Sequence, residues 1–332
     1  MIPRLDIRFP LCRQLHYWWG KEYQPKQGEY LVNHARTGIV MALRAALPNG
    51  VRVGVVAYNC HTVANAVVNA GCVPVFVDVT DELKIDVDSV PVDLAAIVVT
   101  NLFGIRNEVE TIRKRCPKAV VIVDNAHGYG LPVEGDFTVY SINQGKFPAL
   151  GEGGILYANE GWRLKIDDLY KELPSYDKIA QVKLFFSMLI NAIAYSHLCY
   201  WIVMKLKKNA NPNVHQDVIM KKMASGIRRI YRAALPEIPV QIEQQRVNAL
   251  KILDFGFKID DLIVGENAFM AIVQTDNPEG VKQEYAKRGV ETATHFKNSI
   301  TWAREFGYKD GSCLKAEYFS EHLLMIPTYR AL

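Results

Sequence analysis

The chain has 332 residues, of which 49% are hydrophobic and 22% charged, and its net charge at pH 7 is +4. This length allows one large domain plus a smaller one, and this composition is ordinary for a globular protein. The mild charge gives no reason to expect a nucleic-acid partner, and the six cysteines lack the CxxC spacing of zinc sites and disulfide frameworks, so we expect neither metal nor disulfides.

The N-terminal segment, residues 1–30, is polar and aromatic and shows no sustained periodicity. It lacks the apolar core of a signal peptide, so the sequence predicts a cytoplasmic protein whose N-terminal arm lies over the domain or over a partner subunit. A helical pattern follows and stops at Pro48-Asn49-Gly50. Its start, Asn33-His34-Ala35-Arg36-Thr37, offers unpaired backbone N–H groups that can bind phosphate, although most helix starts bind only water.

Strands and helices then alternate along the chain. The predicted strands are Val51 to Ala57, Val73 to Val79, Ala95 to Thr100 and Val120 to Val123, and the predicted helices are His61 to Ala70 and Arg106 to Arg115. This βαβ spacing predicts a mostly parallel sheet. We expect the strand ends to bring Tyr58-Asn59-Cys60-His61, Asn101 and Asp124 to one edge, where open α/β sheets bind ligands.

Two apolar runs deliver a carboxylate and a lysine to that edge. Asp124 follows the first run, and the second, Phe137 to Tyr140, is followed by Ser141 and Lys146, with Gly151-Glu152-Gly153-Gly154 behind them. A lysine amine can bond to an aldehyde cofactor, and a carboxylate can keep a pyridine nitrogen protonated, so this pair describes a pyridoxal phosphate site. A solvated surface lysine and a turn-forming aspartate are the commoner explanations of such residues, and spacing alone leaves both interpretations open.

The wider sequence resembles the DegT/DnrJ family of nucleotide-sugar aminotransferases, in order over about two-thirds of the chain. The matching motifs are Ala64-Asn65-Ala66-Val67, Pro74-Val75-Phe76-Val77-Asp78-Val79, Asp124-Asn125-Ala126-His127, Tyr140-Ser141-Ile142-Asn143-Gln144-Gly145-Lys146, Gly151-Glu152-Gly153-Gly154, Arg288-Gly289-Val290-Glu291-Thr292 and Ile326-Pro327-Thr328-Tyr329. The resemblance implies the α/β fold of the pyridoxal-phosphate-dependent transferases of the aspartate aminotransferase class. Its large domain would have a mostly parallel sheet.

The predicted domains divide the chain near residue 232. Residues 1–232 would form the cofactor-binding large domain, with a helical insert over about 161–232, and residues 233–332 a smaller α+β domain. The elements expected beyond the insert are a helical stretch from Ile227 to Ile252 broken near Pro236 and Pro239, a strand from Phe269 to Gln274, a helix from Pro278 to Arg288 and a last strand from Leu323 to Ile326.

The resemblance also implies a role for each candidate site residue. Lys146 would hold pyridoxal phosphate and Asp124 would pair with the pyridine nitrogen, while His127 would lie beside the ring near its phenolic oxygen. Ser141 would contact the phosphate. The family's phosphate turn carries Ser-Gly-Thr or Ser-Gly-Arg, and His34-Ala35-Arg36 fills it here, which leaves the backbone donors of Ala35 and Arg36 available.

Two further contacts of the family have no clear counterpart in this sequence. An aromatic ring usually stacks on the pyridine near the position of Cys60, and here either Tyr58 or His61 is left to cover it. Family members also supply an asparagine from one subunit to the site of the other. The candidates by position are Asn209, Asn211 and Asn213.

The segment from Leu184 to Met204 contains no charged residue and is long enough for a membrane span. Because Asn191 and His197 interrupt it, we expect first a buried helix at the domain or dimer interface. The second expectation is a helix on the inner membrane surface, with contact over 184–208, and a span is the last. The basic run from Lys221 to Arg232 fits a nucleotide diphosphate or anionic lipid as well as a solvated helix face.

The function implied by the resemblance is amino transfer. The amino group of an amino acid, glutamate in this family, would move to a keto-sugar carried on a nucleotide for surface polysaccharide, in a homodimer. Lys146 favours transfer, since family members with histidine in its place act as sugar dehydratases. The alternative is a non-catalytic regulatory or membrane-associated member of the same fold, motivated by the altered phosphate turn. Gly128-Tyr129-Gly130 lacks the third glycine of a dinucleotide fingerprint, which excludes a nicotinamide enzyme.

Overall fold

The computed structural model describes residues 16–194, 213–252 and 262–329. Within them lies a seven-stranded sheet of order β1-β7-β6-β5-β4-β2-β3. Its strands are β1 (Glu29–Val32), β2 (Arg52–Val56), β3 (Val73–Val77), β4 (Ala96–Thr100), β5 (Val120–Asn125), β6 (Phe137–Ser141) and β7 (Gly154–Ala158). Strands β2 to β6 are parallel, and β7 and β1 add antiparallel pairs at one edge.

This arrangement confirms the predicted α/β fold with a mostly parallel sheet. Strand β1 begins within residues 1–30, where the sequence shows no sustained periodicity. It was missed because all four of its residues are buried, so it has no alternation of apolar and polar side chains. Residues 1–15 of the predicted arm lie outside the described residues.

Helices cover both faces of this sheet. They are α1 (Ala35–Ala46), α2 (His61–Asn69), α3 (Val109–Arg115), α4 (Arg163–Glu172), α5 (Lys178–Ala194) and α6 (Ser225–Ala234). Val121 and Val123 pack in one core with Ile112 of α3, whereas Ile122, between them, packs in the other with Leu43 of α1. Successive side chains of β5 thus enter opposite cores, which is why this strand reads as a continuous apolar run.

The C-terminal part carries a second sheet of order β10-β11-β9-β8, all antiparallel. Its elements are α7 (Ile238–Lys251), β8 (Leu262–Val264), β9 (Met270–Gln274), α8 (Pro278–Lys287), β10 (Ala293–Thr294), α9 (Ser299–Arg304), α10 (Leu314–His322) and β11 (Leu323–Pro327). The predicted break near Pro236 and Pro239 is present, since α6 ends at Ala234 and Pro239 opens α7. The domain boundary at residue 232 stays a prediction, because one continuous core holds residues of both sheets.

Helix α5 forms the described part of the uncharged segment. Met188 and Ala192 are buried against the core that contains Trp18 of the N-terminal segment. Residues 195–204 of the segment lie outside the described residues. In the parts of the chain that the structure describes, no helix combines the length and the apolarity that crossing a membrane requires.

Candidate active site

The ends of parallel strands meet at one cavity of about 180 Å³. Thr100 at the end of β4 pairs with Asp124 in β5, and Ser141 at the end of β6 pairs with Gly154 at the start of β7. Gly154 also pairs with Val32, so the start of α1 reaches the same edge. Most of the residues expected to bind the cofactor line the cavity, namely Ala35, Arg36, Cys60, Asp124, His127, Ser141 and Lys146, whereas Tyr58 and His61 do not.

Asp124 supplies a buried carboxylate, 2% exposed. Its Oδ1 accepts a hydrogen bond from the Ala126 N–H at 3.0 Å, and Thr100 Oγ1 lies 3.5 Å from Oδ2. Burial raises the pKa of Asp124, while the Ala126 N–H and the Lys146 side chain act in the opposite direction. A protonated ring nitrogen against this carboxylate would counter the effect of burial and favour the ionised form.

Lys146 and His127 form a short contact, with Nζ 2.6 Å from Nε2. On the other side of the imidazole, the backbone N–H of Phe103 donates to Nδ1 at 3.3 Å. Nε2 therefore carries the proton of the neutral ring and donates to Nζ, which accepts only as an uncharged amine. Burial lowers the pKa of Lys146 against the opposing effect of Cys60 and Asp124, and burial with the neighbouring Lys146 and His295 holds the pKa of His127 well below its ordinary value.

Aromatic rings enclose His127. Phe103 and Phe296 stack on it with ring centroids at 5.4 and 5.7 Å, and Phe269 lies at 5.4 Å. Burial in this surrounding is the largest cause of the lowered pKa of the imidazole, and the neighbouring Lys146 and His295 act in the same direction. Phe296 also lines the cavity and has a positive φ of 51°. Sequence analysis missed it, because an aromatic residue in a loop between short elements carries no motif.

The predicted phosphate turn lies at the start of α1, beside Asn143. The Gly153 N–H donates to Asn143 Oδ1 at 2.7 Å, so Asn143 Nδ2 is the group that donates to His34 Nδ1 at 3.0 Å. Burial and the neighbouring Arg36 lower the pKa of His34 to about 4. His34 is therefore neutral at physiological pH, and Arg36 carries the positive charge of this turn.

Gly154 makes the close approach of β7 and the phosphate turn possible. A Cβ at this position would lie 2.3 Å from the carbonyl carbon of His34 and 2.4 Å from the nitrogen of Ala35. Gly151, with φ of +95°, would meet Met188 of α5 at 2.7 Å. The glycines of this motif therefore hold the turns around Lys146 against the elements packed on them.

The structure corrects the two candidates for a ring stacked on the cofactor. Tyr58 is fully buried away from the cavity and donates its hydroxyl hydrogen to the His295 carbonyl at 2.8 Å. His61 turns the other way and packs edge-on against Trp302 at 4.9 Å, outside the cavity lining. Cys60 lies between these residues in the sequence and does line the cavity. Cys60 therefore lies at the cavity, as expected, and neither Tyr58 nor His61 lines the cavity beside it.

Polar residues complete the cavity, among them Asn59, which was expected at this edge, and Thr62 and Thr100, which were not singled out as site residues. Asn59 Nδ2 donates to Thr100 Oγ1 at 2.9 Å, which fixes the group beside Asp124. Asn101, expected at this edge, instead donates to Asn125 Oδ1 at 2.7 Å in a buried network. Of the candidates for the contact between subunits, Asn209 and Asn211 lie outside the described residues. Asn213 is exposed.

Residues 25–171 match the family model described as the DegT/DnrJ/EryC1/StrS aminotransferase family. No curated protein sequence matches the chain. Among solved structures, the PMP-form of a putative sugar aminotransferase, Spr1654 from Streptococcus pneumoniae, is similar at 16% identity with a TM-score of 0.70, over 95% of this chain and 91% of that one. Sugar aminotransferase CalS13 from Micromonospora echinospora is similar at 16% identity with a TM-score of 0.68, over 99% of this chain and 95% of that one.

A dehydratase shares the fold as well. GDP-4-keto-6-deoxy-D-mannose-3-dehydratase of E. coli, with bound hydrated PLP, is 17% identical with a TM-score of 0.67, over 97% of this chain and 88% of that one. At these identities the structural likeness shows the fold, and the family model covers the segment that contains Asp124 and Lys146. The resemblance stated from the sequence is thereby confirmed over residues 25–171, which match the model of the DegT/DnrJ/EryC1/StrS aminotransferase family, within a chain that has the fold of solved sugar aminotransferases.

Proposed function

We propose that this protein is a pyridoxal-phosphate-dependent aminotransferase that moves the amino group of an amino acid to a keto-sugar carried on a nucleotide. The observation that carries the proposal is the convergence of Lys146, Asp124 and the start of α1 on one cavity. The family matched over residues 25–171 is one of aminotransferases, and structural neighbours include a sugar aminotransferase in its PLP-form.

The residues around the cavity fit this cofactor group by group. Asp124 offers a carboxylate for the ring nitrogen, and Lys146 offers an amine for the aldehyde. For the phosphate, the cavity provides the Ser141 hydroxyl, the Arg36 guanidinium and the unpaired N–H groups at the start of α1. When bound, pyridoxal phosphate supplies the carbon that takes up the amino group and the ring that withdraws electrons from it.

The chemistry of this chain is proton handling at Lys146. Burial lowers the pKa of its Nζ, which favours the free amine, and a free amine can take the proton released from the α-carbon of the amino donor. His127 donates to Nζ through Nε2–H and so orients the amine in the cavity. Asp124 would face the ring nitrogen of the bound cofactor, and its carboxylate would stabilise the protonated form of that ring.

The substrates are proposed from the family. The proposed donor is glutamate, and the proposed acceptor is a nucleotide-linked 3-keto or 4-keto sugar. The protein would act as a cytoplasmic homodimer in surface polysaccharide synthesis. The sugar aminotransferases among the structural neighbours support a sugar as the acceptor. The lysine at position 146 favours transfer of an amino group over the dehydration carried out by the structurally similar E. coli enzyme.

The decisive experiment is the visible absorption spectrum of the purified protein with pyridoxal phosphate, before and after glutamate is added. We expect the band of lysine-bound cofactor in the wild type, its loss with glutamate, and no such band in Lys146→Ala. Mass spectrometry of keto-sugar nucleotides incubated with the loaded protein and ¹⁵N-glutamate then identifies the acceptor by its gain of label. A wild-type spectrum without a Lys146-dependent band would refute the proposal.

One observation favours a second candidate, a non-catalytic member of the same fold. His34, which occupies the serine position of the family's turn, is neutral, and its Nδ1 accepts a hydrogen bond from Asn143, so this atom is not available to a phosphate. Suppose that the band forms, that glutamate does not remove it and that no keto-sugar nucleotide gains label. The protein then binds the cofactor without transferring an amino group, and this candidate replaces the first.

A further inference from the structure

Helix α5 presents a continuous apolar stripe to the outside of the protomer. The stripe consists of Ile179, Val182, Phe186, Ile190 and Ile193, each between 48% and 68% exposed. At about 100° per residue, their directions fall within an arc of about 80°, so they form a single face of the helix. Large apolar side chains in such a contiguous row on a surface indicate a contact with another apolar body.

The stripe is bordered by positive charge on both sides. Lys178 and Lys183 are exposed, and at the same angular step they lie on opposite edges of the stripe, about 40° and about 20° beyond its outermost members. No acidic residue occurs on this helix. On the inner side of α5, Met188 and Ala192 pack into the core, so the helix lies flat on the protein with the stripe outward.

An aromatic residue extends the apolar surface beyond the helix. Trp19 is 72% exposed and its ring lies 5.7 Å from that of Phe185 of α5. Tryptophan is enriched where proteins meet the boundary between lipid headgroups and acyl chains, because its ring is apolar and its N–H is polar. An amphipathic helix with lysines at its polar edges and aromatic residues on its apolar side is the pattern of a helix that lies in a membrane interface.

Charge decides between a lipid surface and a second copy of the chain. Residues 178–232 contain ten lysines and arginines and a single acidic residue, Asp217, a net charge of +9 in a chain whose total is +4. Arg228 and Arg229 pair with Glu22, and the charged residues on α5 itself are Lys178 and Lys183. A two-fold contact of stripe on stripe would bring like charges together, whereas an anionic lipid surface would attract them.

We propose that the α5 stripe, with Lys178, Lys183 and Trp19, docks the protein on a bilayer surface that contains anionic lipid. The helix enters the headgroup region sideways, with its apolar stripe facing the acyl chains. Its inner face touches the active-site turn, since Met188 lies against Gly151 and Asn191 Nδ2 donates to Gln144 Oε1 at 3.2 Å. Docking therefore places the cavity about one helix diameter, about 10 Å, from the lipid. The proposal does not depend on the transferase activity.

The test is flotation of the full chain with vesicles of phosphatidylcholine, with and without phosphatidylglycerol. We expect binding to the anionic vesicles, a loss of affinity of about tenfold or more in Phe186→Glu and Ile190→Glu, and a loss of about fivefold for each of Lys178→Glu and Lys183→Glu. Val240→Glu is the matched control, since Val240 is 71% exposed on α7 and we expect no loss. Unchanged melting temperatures show that the variants remain folded.

Three results would overturn the proposal. The first is no binding of the wild type to either vesicle, and the second is equal binding to both, which would remove the role of charge. The third is sedimentation velocity in which the wild type is a dimer that Ile190→Glu dissociates, without vesicle binding. That result assigns the stripe to a second copy of the chain.

Discussion

The Nζ of Lys146 lies 2.6 Å from the Nε2 of His127, and the proton between them belongs to the imidazole. This follows from the opposite side of the ring, where the Phe103 N–H already occupies Nδ1. Burial lowers the pKa of the lysine, whereas the neighbouring Cys60 and Asp124 act in the opposite direction. The donated hydrogen bond favours the free amine as well.

The first prediction concerns the pH dependence of cofactor loading. Because burial lowers the pKa of Lys146 below the ordinary 10.5, the rate of borohydride-trapped bonding of pyridoxal phosphate to Lys146 is expected to rise with pH and to level off below that value. In His127→Leu, which removes the donor, we expect the inflection to move to higher pH, whereas His127→Gln retains an N–H and keeps it closer to the wild type. Peptide mapping locates the trapped lysine. A wild-type inflection at 10.5 would contradict the prediction.

Replacing the buried carboxylate tests its electrostatic role. In Asp124→Asn the side-chain oxygen can still accept from the Ala126 N–H, so we expect the fold to be kept while the charge against the ring nitrogen is lost. The rate at which glutamate discharges the loaded protein is expected to fall by about 10²–10³-fold, the usual loss when one stabilising group is removed from a preorganised site. Stopped-flow absorbance measures it. An unchanged rate, with cofactor bound, would show that Asp124 does not face the ring.

The contact between β7 and the phosphate turn is tested by adding one methyl group. In Gly154→Ala the new Cβ collides with the backbone of His34 and Ala35, which is unable to move aside as a flexible side chain can. We expect a loss of about 1–3 kcal/mol in the free energy of unfolding and weaker binding of pyridoxal phosphate. Gly161→Ala is the control, since its Cβ would meet only Asn159 Oδ1, at 3.6 Å. Thermal melts and cofactor titrations of both variants measure the difference.

Much of the large sheet could be predicted because its strands are buried on both faces. Two apolar runs, Val120 to Val123 and Phe137 to Tyr140, are too short for helices and so predict strands. Because these strands pair in parallel, their carboxyl ends lie at the same edge of the sheet. The placement of Asp124, Ser141 and Lys146 in one cavity follows from that topology. Their mutual contacts depend on side-chain direction, which spacing does not contain.

The missed residues show what local pattern leaves out. Phe296 reaches the cavity from a loop more than a hundred residues beyond Lys146, and only the packing of the C-terminal part against the large sheet brings it there. His61 and Cys60 are adjacent in sequence, yet only Cys60 lines the candidate site, since His61 packs against Trp302. The sequence could not show which face of α5 is exposed, because the buried and the exposed sides of this helix are both apolar.

The charge of the phosphate turn resides on Arg36, which predicts a selective effect on cofactor binding. Arg36→Ala is expected to weaken pyridoxal phosphate by about 10- to 100-fold, the value of a hydrogen bond to a charged group, and to leave the binding of pyridoxal, which has no phosphate, unchanged. Titration of both ligands by absorbance separates the two effects. Equal weakening of both would indicate that Arg36 shapes the cavity rather than binding phosphate.

The last prediction concerns the thiol of Cys60, which lines the cavity. Burial alone would raise its pKa, but the neighbouring His61, the Lys146 side chain and the Thr62 hydroxyl, which donates to Sγ at 3.1 Å, lower it to about 7. Since the thiolate is the reactive form, the rate of iodoacetamide alkylation at Cys60, followed by peptide mass spectrometry, is expected to be half-maximal near pH 7 rather than 9. Because Cys60 lines the cavity, pyridoxal phosphate is expected to protect it, and alkylated protein to lose the Lys146-dependent band.

The matched variant is Cys60→Ser, which keeps a small polar side chain and is expected to load cofactor normally and to resist inactivation by iodoacetamide. Cys72, Cys116 and Cys313 are internal references, because burial raises the pKa of each and all three are buried. Alkylation of Cys60 that is as slow as theirs at pH 8, or that leaves cofactor loading intact, would place the thiol away from the cofactor. Fast alkylation with loss of loading would assign to Cys60 the side of the cavity where the family has an aromatic ring.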